Sequence, residues 1–318
     1  MTDLVAIDVG GTHARFALAS IGADGAISLG EPVTLRTAEH AGPEGAWRAF
    51  ERLSAEPLPR AAAIAIAGPV TGDVVPMTNS PWVLRISAFT ADLGLDAVTV
   101  LNDFGAVAHA VARAPEDQLV HIAGPEGPLP GLGTVSVIGP GTGLGVAHFH
   151  RFPGGYHVQA TEGGHVGFAP QDEFDDRLLA ILRARHGRVA TERVNAGPGI
   201  VEIYAALGGQ SLTDDRTIWQ QGIAREDELA ARAVERFSAS LGSVVGDYAL
   251  AHGSAAVVLA GGIGLKLREI LPQSQFAERF RAKPRYEAMM AGIPVKLIVH
   301  PQPGLYGAVA AFQTEHSR

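Results

Sequence analysis

The polar residues able to do chemistry in this chain form two groups: Asn102-Asp103, and Glu162-Gly163-Gly164-His165 with Glu192. Asn102 and Asp103 directly follow an apolar run, Ala97 to Leu101. A carboxylate at the end of a strand suits a general base that takes the proton of a primary hydroxyl. Carboxylates, a carboxamide and an imidazole are multidentate partners for hydroxyls, which both donate and accept. A buried partner left unpaired is costly, so such a set selects strongly for a polyhydroxylated ligand such as a hexose. Taken alone, His165 fits a hydrogen-bonded loop histidine better, and Glu192 fits a solvated surface carboxylate better. His148 and His150 have a spacing that mimics a metal pair, but no third ligand is nearby and they are assigned a structural role.

Glycine is unusually abundant, with 39 residues, many of them clustered. Asp8-Val9-Gly10-Gly11-Thr12 separates two strand-like runs. Inward-turned backbone N–H groups would make it an anion nest, with the Thr12 hydroxyl as a further donor. Asp8 would repel a phosphate unless a cation such as Mg²⁺ lay between them. An ordinary hairpin turn explains the same residues equally well. Gly139-Pro140-Gly141-Thr142-Gly143 repeats the pattern, and two such turns are harder to dismiss than one. Neither is a Walker loop, since the chain has no Gly-Lys dipeptide, and no helix follows as a dinucleotide fingerprint requires. In Leu259-Ala260-Gly261-Gly262-Ile263 an apolar strand meets paired glycines ahead of a helix. Backbone without side chains there would admit a flat ring, although a tight turn accounts for it too.

These residues need elements to hold them. Leu4 to Asp8, Arg15 to Ser20 and Ile27 to Leu35 predict strands, with a hairpin signal at Asp24-Gly25. A helix near Pro43 to Ser54, a strand at Ala62 to Ala67 and a short helix capped by Ser87 follow. The strand Ala97 to Leu101 then delivers Asn102-Asp103 to a helix over Phe104 to Arg113, the position where open α/β sheets bind ligands. After a Pro/Gly-rich stretch, Gly124 to Gly133, come strands at Thr134 to Ile138 and Leu144 to His150. A helix over Phe174 to His186 has Gly187 as its C-cap, and a long helix spans Glu226 to His252. Strands at Ala255 to Ala260 and Pro294 to His300 lead to a last helix opening near Gly304. Both halves start with two strands joined by a glycine turn, which predicts duplicated α/β domains facing a cleft.

Composition narrows the classes. A length of 318 residues predicts about two domains, and 47% hydrophobic with 18% charged residues supports packed cores. There is no cysteine, so disulfides, thiol nucleophiles and thiolate zinc sites are excluded. The net charge of −8, with three lysines and no basic tract, predicts no nucleic-acid partner. No apolar run is long enough for a membrane span, and no basic region precedes Leu4 as a signal peptide would need. A cytoplasmic protein without a membrane partner is the expectation.

Together the motifs resemble a family. Asp8-Val-Gly-Gly-Thr-His-Ala-Arg15, Leu101-Asn-Asp-Phe104, Gly139-Pro-Gly-Thr-Gly-Leu-Gly-Val-Ala147 and Glu162-Gly-Gly-His165 look like the bacterial ATP-dependent glucokinases. Gly68-Pro-Val-Thr-Gly72 with Met77-Thr-Asn79, Ala190-Thr-Glu-Arg-Val194, Leu259-Ala-Gly-Gly-Ile263 and Pro303-Gly-Leu-Tyr-Gly307 also fit, in order, along nearly the whole chain. That family belongs to the actin, hexokinase and heat-shock-chaperone superfamily. The resemblance implies a two-domain α/β, actin-like ATPase (ribonuclease H-like) fold with a central cleft. A small domain over 1–113, completed by the helix 303–318, would face a large domain over 114–302.

The resemblance also implies the roles. Asp103 would be the catalytic base, and Asn102, Asp103, Glu162, His165 and Glu192 would ring the glucose hydroxyls, with Gly143 and Asn79 as further sugar contacts. Gly10, Gly11, Thr12, Gly141, Thr142 and Gly143 would hold the phosphates of ATP, and Gly261 and Gly262 would lie against the adenosine. Asp8 would act on Mg²⁺ through water. His13 stands where the family motif usually has Asn, and its side chain is assigned no role. Without cysteine the zinc site of the related ROK sugar kinases cannot form, which implies the non-ROK, zinc-free branch. A homodimer is implied by the family. The alternatives are a kinase for another hexose or amino sugar on the same fold, and a non-catalytic sugar sensor. Sensors of this type carry an N-terminal DNA-binding domain, for which no room is expected before Leu4. An actin-like or chaperone ATPase would not need the polar ring.

Overall fold

The computed structural model describes residues 1–78, 80–210 and 214–316. The chain forms two compact units, Met1–Ala114 with His300–Arg318, and Pro115–Val299. Unit 1 contains strands β1 (Thr2–Val9), β2 (His13–Ile21), β3 (Ile27–Leu29), β4 (Val33–Arg36), β5 (Ala61–Ile66), β6 (Val74–Pro76), β7 (Val83–Arg85) and β8 (Ala97–Asn102). Its first helices are α1 (Pro43–Leu53), α2 (Ile86–Asp92) and α3 (Asp103–Arg113). Unit 2 contains β9 (Leu119–Ala123), β10 (Gly133–Pro140), β11 (Leu144–Phe152), β12 (Gly155–Thr161), β13 (Ser254–Leu259) and β14 (Val295–Ile298). Its helices are α4 (Glu173–His186), α5 (Glu192–Asn195), α6 (Gly199–Ala206), α7 (Asp215–Ala224), α8 (Glu228–His252), α9 (Gly261–Lys266), α10 (Phe276–Arg281) and α11 (Glu287–Ala291). The chain ends in α12 (Pro303–His316), which belongs to unit 1.

In unit 1 the sheet runs β3-β2-β1-β5-β8, with β1, β5 and β8 parallel and β2 antiparallel to β1. The single strand expected over 27–35 is two, β3 and β4, both paired with β2. Leu29 faces Ala19 and Val33 faces Phe16, so one extra residue is accommodated around Gly30 to Pro32. Pro32 has no N–H for the ladder, and a bulge is the usual result. The two faces of the sheet are built differently. Val5, Ile7, Ile64 and Ile66 pack with Trp47, Phe50 and Phe89 of α1 and α2. Ala6, Ala63 and Ala65 on the opposite face meet Leu305, Ala308, Val309 and Phe312 of α12. Period-two alternation of side chains thus sends large residues one way and small ones the other, and α12 approaches closely. Ser87 is not a helix cap: α2 begins at Ile86, and the Ser87 N–H and hydroxyl both donate to the Asp73 carboxylate, at 2.7 and 2.9 Å.

Unit 2 repeats the opening of unit 1, with β10 and β11 antiparallel around a glycine turn and β13 parallel to β10. Its sheet order is β12-β11-β10-β13-β14-β9. The long helix starts two residues later than expected because Asp227 is its N-cap, accepting from Ala230 N at 2.6 Å. Phe237, Leu241, Val244, Val245 and Tyr248 are buried along it, in one core with Trp219, Phe276 and Phe280. Gly187 caps α4 as expected, with a φ of 70° and its N–H on Arg183 O. Together the units are a mixed α/β, two-domain fold of the actin-like ATPase type. No helix among the described residues is long and apolar enough to cross a membrane.

Candidate active site

In unit 1, parallel β1, β5 and β8 end on one edge of the sheet, and hydrogen bonds lace their ends together. Ala67 N donates to Val9 O at 3.1 Å, Thr78 N to Ala67 O at 2.8 Å, and Asn102 Nδ2 to Gly68 O at 3.1 Å. The turn Gly10 to Thr12 is oriented from outside by Thr37, whose N–H donates to Thr12 O and whose hydroxyl donates to Gly11 O. His13, assigned no role from sequence, has its Nδ1 2.9 Å from the Thr12 hydroxyl. Asp8 faces Arg15 across the β1–β2 pair, 3.3 Å from one guanidinium nitrogen. Burial raises the Asp8 pKa above the ordinary carboxylate value, and Arg15 only partly opposes it.

Asn102 is committed on most sides. Its Oδ1 accepts from Phe104 N and Gly105 N as the N-cap of α3, at 2.9 and 3.0 Å, while Nδ2 donates to Gly68 O. One N–H of its amide is left for a ligand. Asp103 is the first residue of α3, not the residue before it, and accepts from Phe104 N at 2.8 Å. A helix N-terminus is a favourable place for a carboxylate, and the Asn102 cap sets its direction. Asn79 lies outside the described residues.

In unit 2, three sequence motifs meet at the first residue of β11. Leu144 N donates to Glu192 Oε2 at 2.8 Å. Gly164 packs so tightly on the Leu144 carbonyl that a Cβ there would overlap its oxygen. A Cβ on Gly143 would stand 2.5 Å from Glu192 Oε2. Glu192 is therefore no solvated surface carboxylate; it braces the glycine turn Gly141 to Gly143. The same segment is tied on by Thr191 N, which donates to Val166 O at 2.8 Å, and by a bridge between Gly167 and Ala190. Glu162 and His165 stand side by side with Oε2 and Nε2 4.0 Å apart, and their side chains are 60% and 61% exposed, open to a ligand.

The second glycine pair lies at the ends of neighbouring parallel strands. Gly261 has a φ of 82°, and a Cβ on it would sit 2.6 Å from Pro140 O, so only glycine allows this approach. Gly261 and Gly262 form the first turn of α9 and do not precede it; nothing lies within 4 Å of the space a Gly262 Cβ would take. Gly197 donates its N–H to Gly141 O at 2.7 Å. Thr142 sits at the centre of that turn. His148 is packed against His252, with ring centroids 4.4 Å apart, and His150 Nδ1 is 3.1 Å from the Thr134 hydroxyl.

The two units thus present glycine turns at strand ends, one of them braced by a glutamate, a carboxylate at a helix start, and an exposed carboxylate–imidazole pair. A family model described as Glucokinase matches residues 4–315. The chain belongs to the glucokinase family. A glucokinase of Zymomonas mobilis is 50% identical over 99% of each chain. Among solved structures, a glucokinase from an Antarctic psychrotroph superposes with a TM-score of 0.86 at 30% identity, covering 99% of each chain. The ROK hexokinase of Thermus thermophilus also superposes, with a TM-score of 0.68 at 20% identity and 99% of each chain covered. That second likeness shows the fold alone, and the separation from ROK proteins expected from sequence is not drawn by fold.

Proposed function

We propose that this chain transfers the γ-phosphoryl of ATP to D-glucose, giving glucose 6-phosphate and ADP. The observation that carries this reading is the junction at Leu144, where a phosphate-type glycine turn and a hydroxyl-binding polar set share one stretch of backbone. Asp103 takes the proton of the 6-hydroxyl as its oxygen bonds to the γ-phosphorus, and the bond to the β,γ-bridging oxygen breaks. Glu162, His165 and Glu192, with the remaining Asn102 N–H, hold the other hydroxyls; Gly143 and Asn79 are further sugar contacts. The turns Gly10 to Thr12 and Gly141 to Gly143 bear phosphate charge through backbone N–H groups, and Gly261 with Gly262 leaves a side-chain-free surface for adenosine.

Asp8 fits Mg²⁺. It is an oxygen donor whose charge is disfavoured by burial and met by Arg15 at only 3.3 Å, so a nearby cation would relieve it. Mg²⁺ takes few protein carboxylates and keeps waters, and none of the described residues forms a cluster of three metal-ligating side chains. Bound there through water, the ion would neutralise charge on the phosphates. The chain has no cysteine for the ROK thiolate zinc site, which supports a zinc-free branch of the family. A cytoplasmic homodimer without nucleic-acid or membrane partners completes the proposal.

A coupled assay of ADP formation tests it, with glucose, mannose, fructose and glucosamine, with and without Mg²⁺. Turnover should require both sugar and Mg²⁺ and be greatest with glucose. Asp103→Asn should lower kcat by about 10²–10⁴-fold. Near-full turnover of Asp103→Asn with an unchanged pH profile would refute the assignment, as would sugar-independent ATP hydrolysis by the wild type.

A further inference from the structure

Tyr248 is buried on α8, with 7% of its surface exposed, and no sequence motif pointed to it. Its hydroxyl donates to Gly163 O at 2.5 Å, inside the turn that carries Glu162 and His165. Thr191, the buried residue immediately before Glu192, donates its N–H to Val166 O at 2.8 Å, just past the same turn. Thr191 also donates its hydroxyl to Gly167 O at 3.3 Å. The phenol therefore ties the turn that carries Glu162 and His165 to the long helix α8. We propose that Tyr248 is a positioning residue that fixes the Glu162–His165 turn against α8, and through it the selectivity for the sugar. This rests on the function proposed above.

The ring is itself held. His252, one turn further along α8, stacks on it with centroids 5.8 Å apart and 30° between planes. His252 Nδ1 lies 2.7 Å from the Ser136 hydroxyl, which is 2.6 Å from that of Ser254, so β10 and β13 both anchor the stack. Burial, then the charge of Asp247, push the Tyr248 pKa up to about 12, and the phenol stays a donor across the working pH range. The backbone link from Thr191 N to Val166 O survives without the hydroxyl, so the turn stays attached and loses only its fixed position at the ligand end.

The test is Tyr248→Phe, which keeps the ring and its packing and removes only the hydroxyl. KM for glucose should rise about tenfold, the effect of one lost buried hydrogen bond, while KM for ATP stays within twofold. The preference for glucose over mannose should narrow. Unchanged glucose KM and preference in Tyr248→Phe would overturn the inference, as would equal rises in both KM values with a lowered Tm. A wild type that phosphorylates no hexose would instead overturn the proposed function and this assignment with it.

Discussion

Replacing Gly304 with alanine would place a methyl carbon 2.8 Å from the Asp8 carboxyl carbon, 2.7 Å from Oδ2 and 3.2 Å from Oδ1. Non-bonded carbons settle at about 3.5 Å or more, so roughly 0.7 Å of separation must be found. The helix cannot supply it cheaply. Gly307, one turn along α12, lies so close to α3 that a Cβ there would overlap Ala106 O, and Leu305 and Ala308 are fully buried. Asp8 has a short side chain on a strand paired on both sides, so its carboxylate is the group that shifts. Misplacing a group in a phosphoryl-transfer site by about 1 Å costs on the order of 10² in rate, equivalent to about 2.7 kcal/mol of barrier. Gly304→Ala should therefore lower kcat about 100-fold at saturating glucose and ATP, with little change in KM for glucose. Gly72→Ala is the control, since its methyl would meet nothing within 4 Å. The readout is ADP formation in the coupled assay, beside Tm. If Gly304→Ala kept kcat within about threefold of wild type, the reasoning that ties Gly304 to the Asp8 position would be refuted.

Two further outcomes concern stability. Burial, then the neighbouring His148, lower the His252 pKa from 6.5 to about 4. Between those values the unfolded chain binds a proton that the native protein does not, so stability falls as pH drops from 6.5 towards 4, by up to about 3 kcal/mol. Denaturant midpoints across that range should show the slope in wild type and lose it in His252→Gln; an equal slope in both excludes His252 as its source. Burial alone would raise the Asp172 pKa, but hydrogen bonds from Arg236, the Asp175 N–H and Arg279 hold it well below the usual carboxylate value. Its stabilisation is present above about pH 3.9, the unfolded value, and is lost as pH falls further. Asp172 also caps α4, so Asp172→Ala should cost about 3 kcal/mol by denaturant titration. A loss below about 1 kcal/mol would mean these partly exposed pairs are screened.

Much of this protein was legible before folding was considered, and the reason is local. The strands leading to Gly10 and Gly141, the cap at Gly187, and the glycine turns between strands are set by residues adjacent in sequence. What was missed is equally instructive. β12 is an edge strand in which exposed positions alternate with half-buried ones, with no apolar stripe to signal it. Helix α6 opens within Gly197-Pro198-Gly199, at Gly199, a run that reads as punctuation until Ile200 and Ile203 join Val194 and Trp219 in the core. Ser87 has the composition of a cap, yet Asp73 serves that end of α2 from a neighbouring loop.

By itself the sequence determined which chemistry is on offer: a carboxylate after a strand, glycine turns able to meet phosphate, a polar set able to match hydroxyls, and no thiol. Those follow from side-chain type and nearest neighbours. Only tertiary structure decided that Glu192 braces Leu144, that Gly304 backs Asp8, and that Tyr248 anchors Gly163. Each joins segments far apart along the chain, and such contacts exist only once β10, β11 and α8, or β1 and α12, have packed their apolar faces and fixed the distances between them.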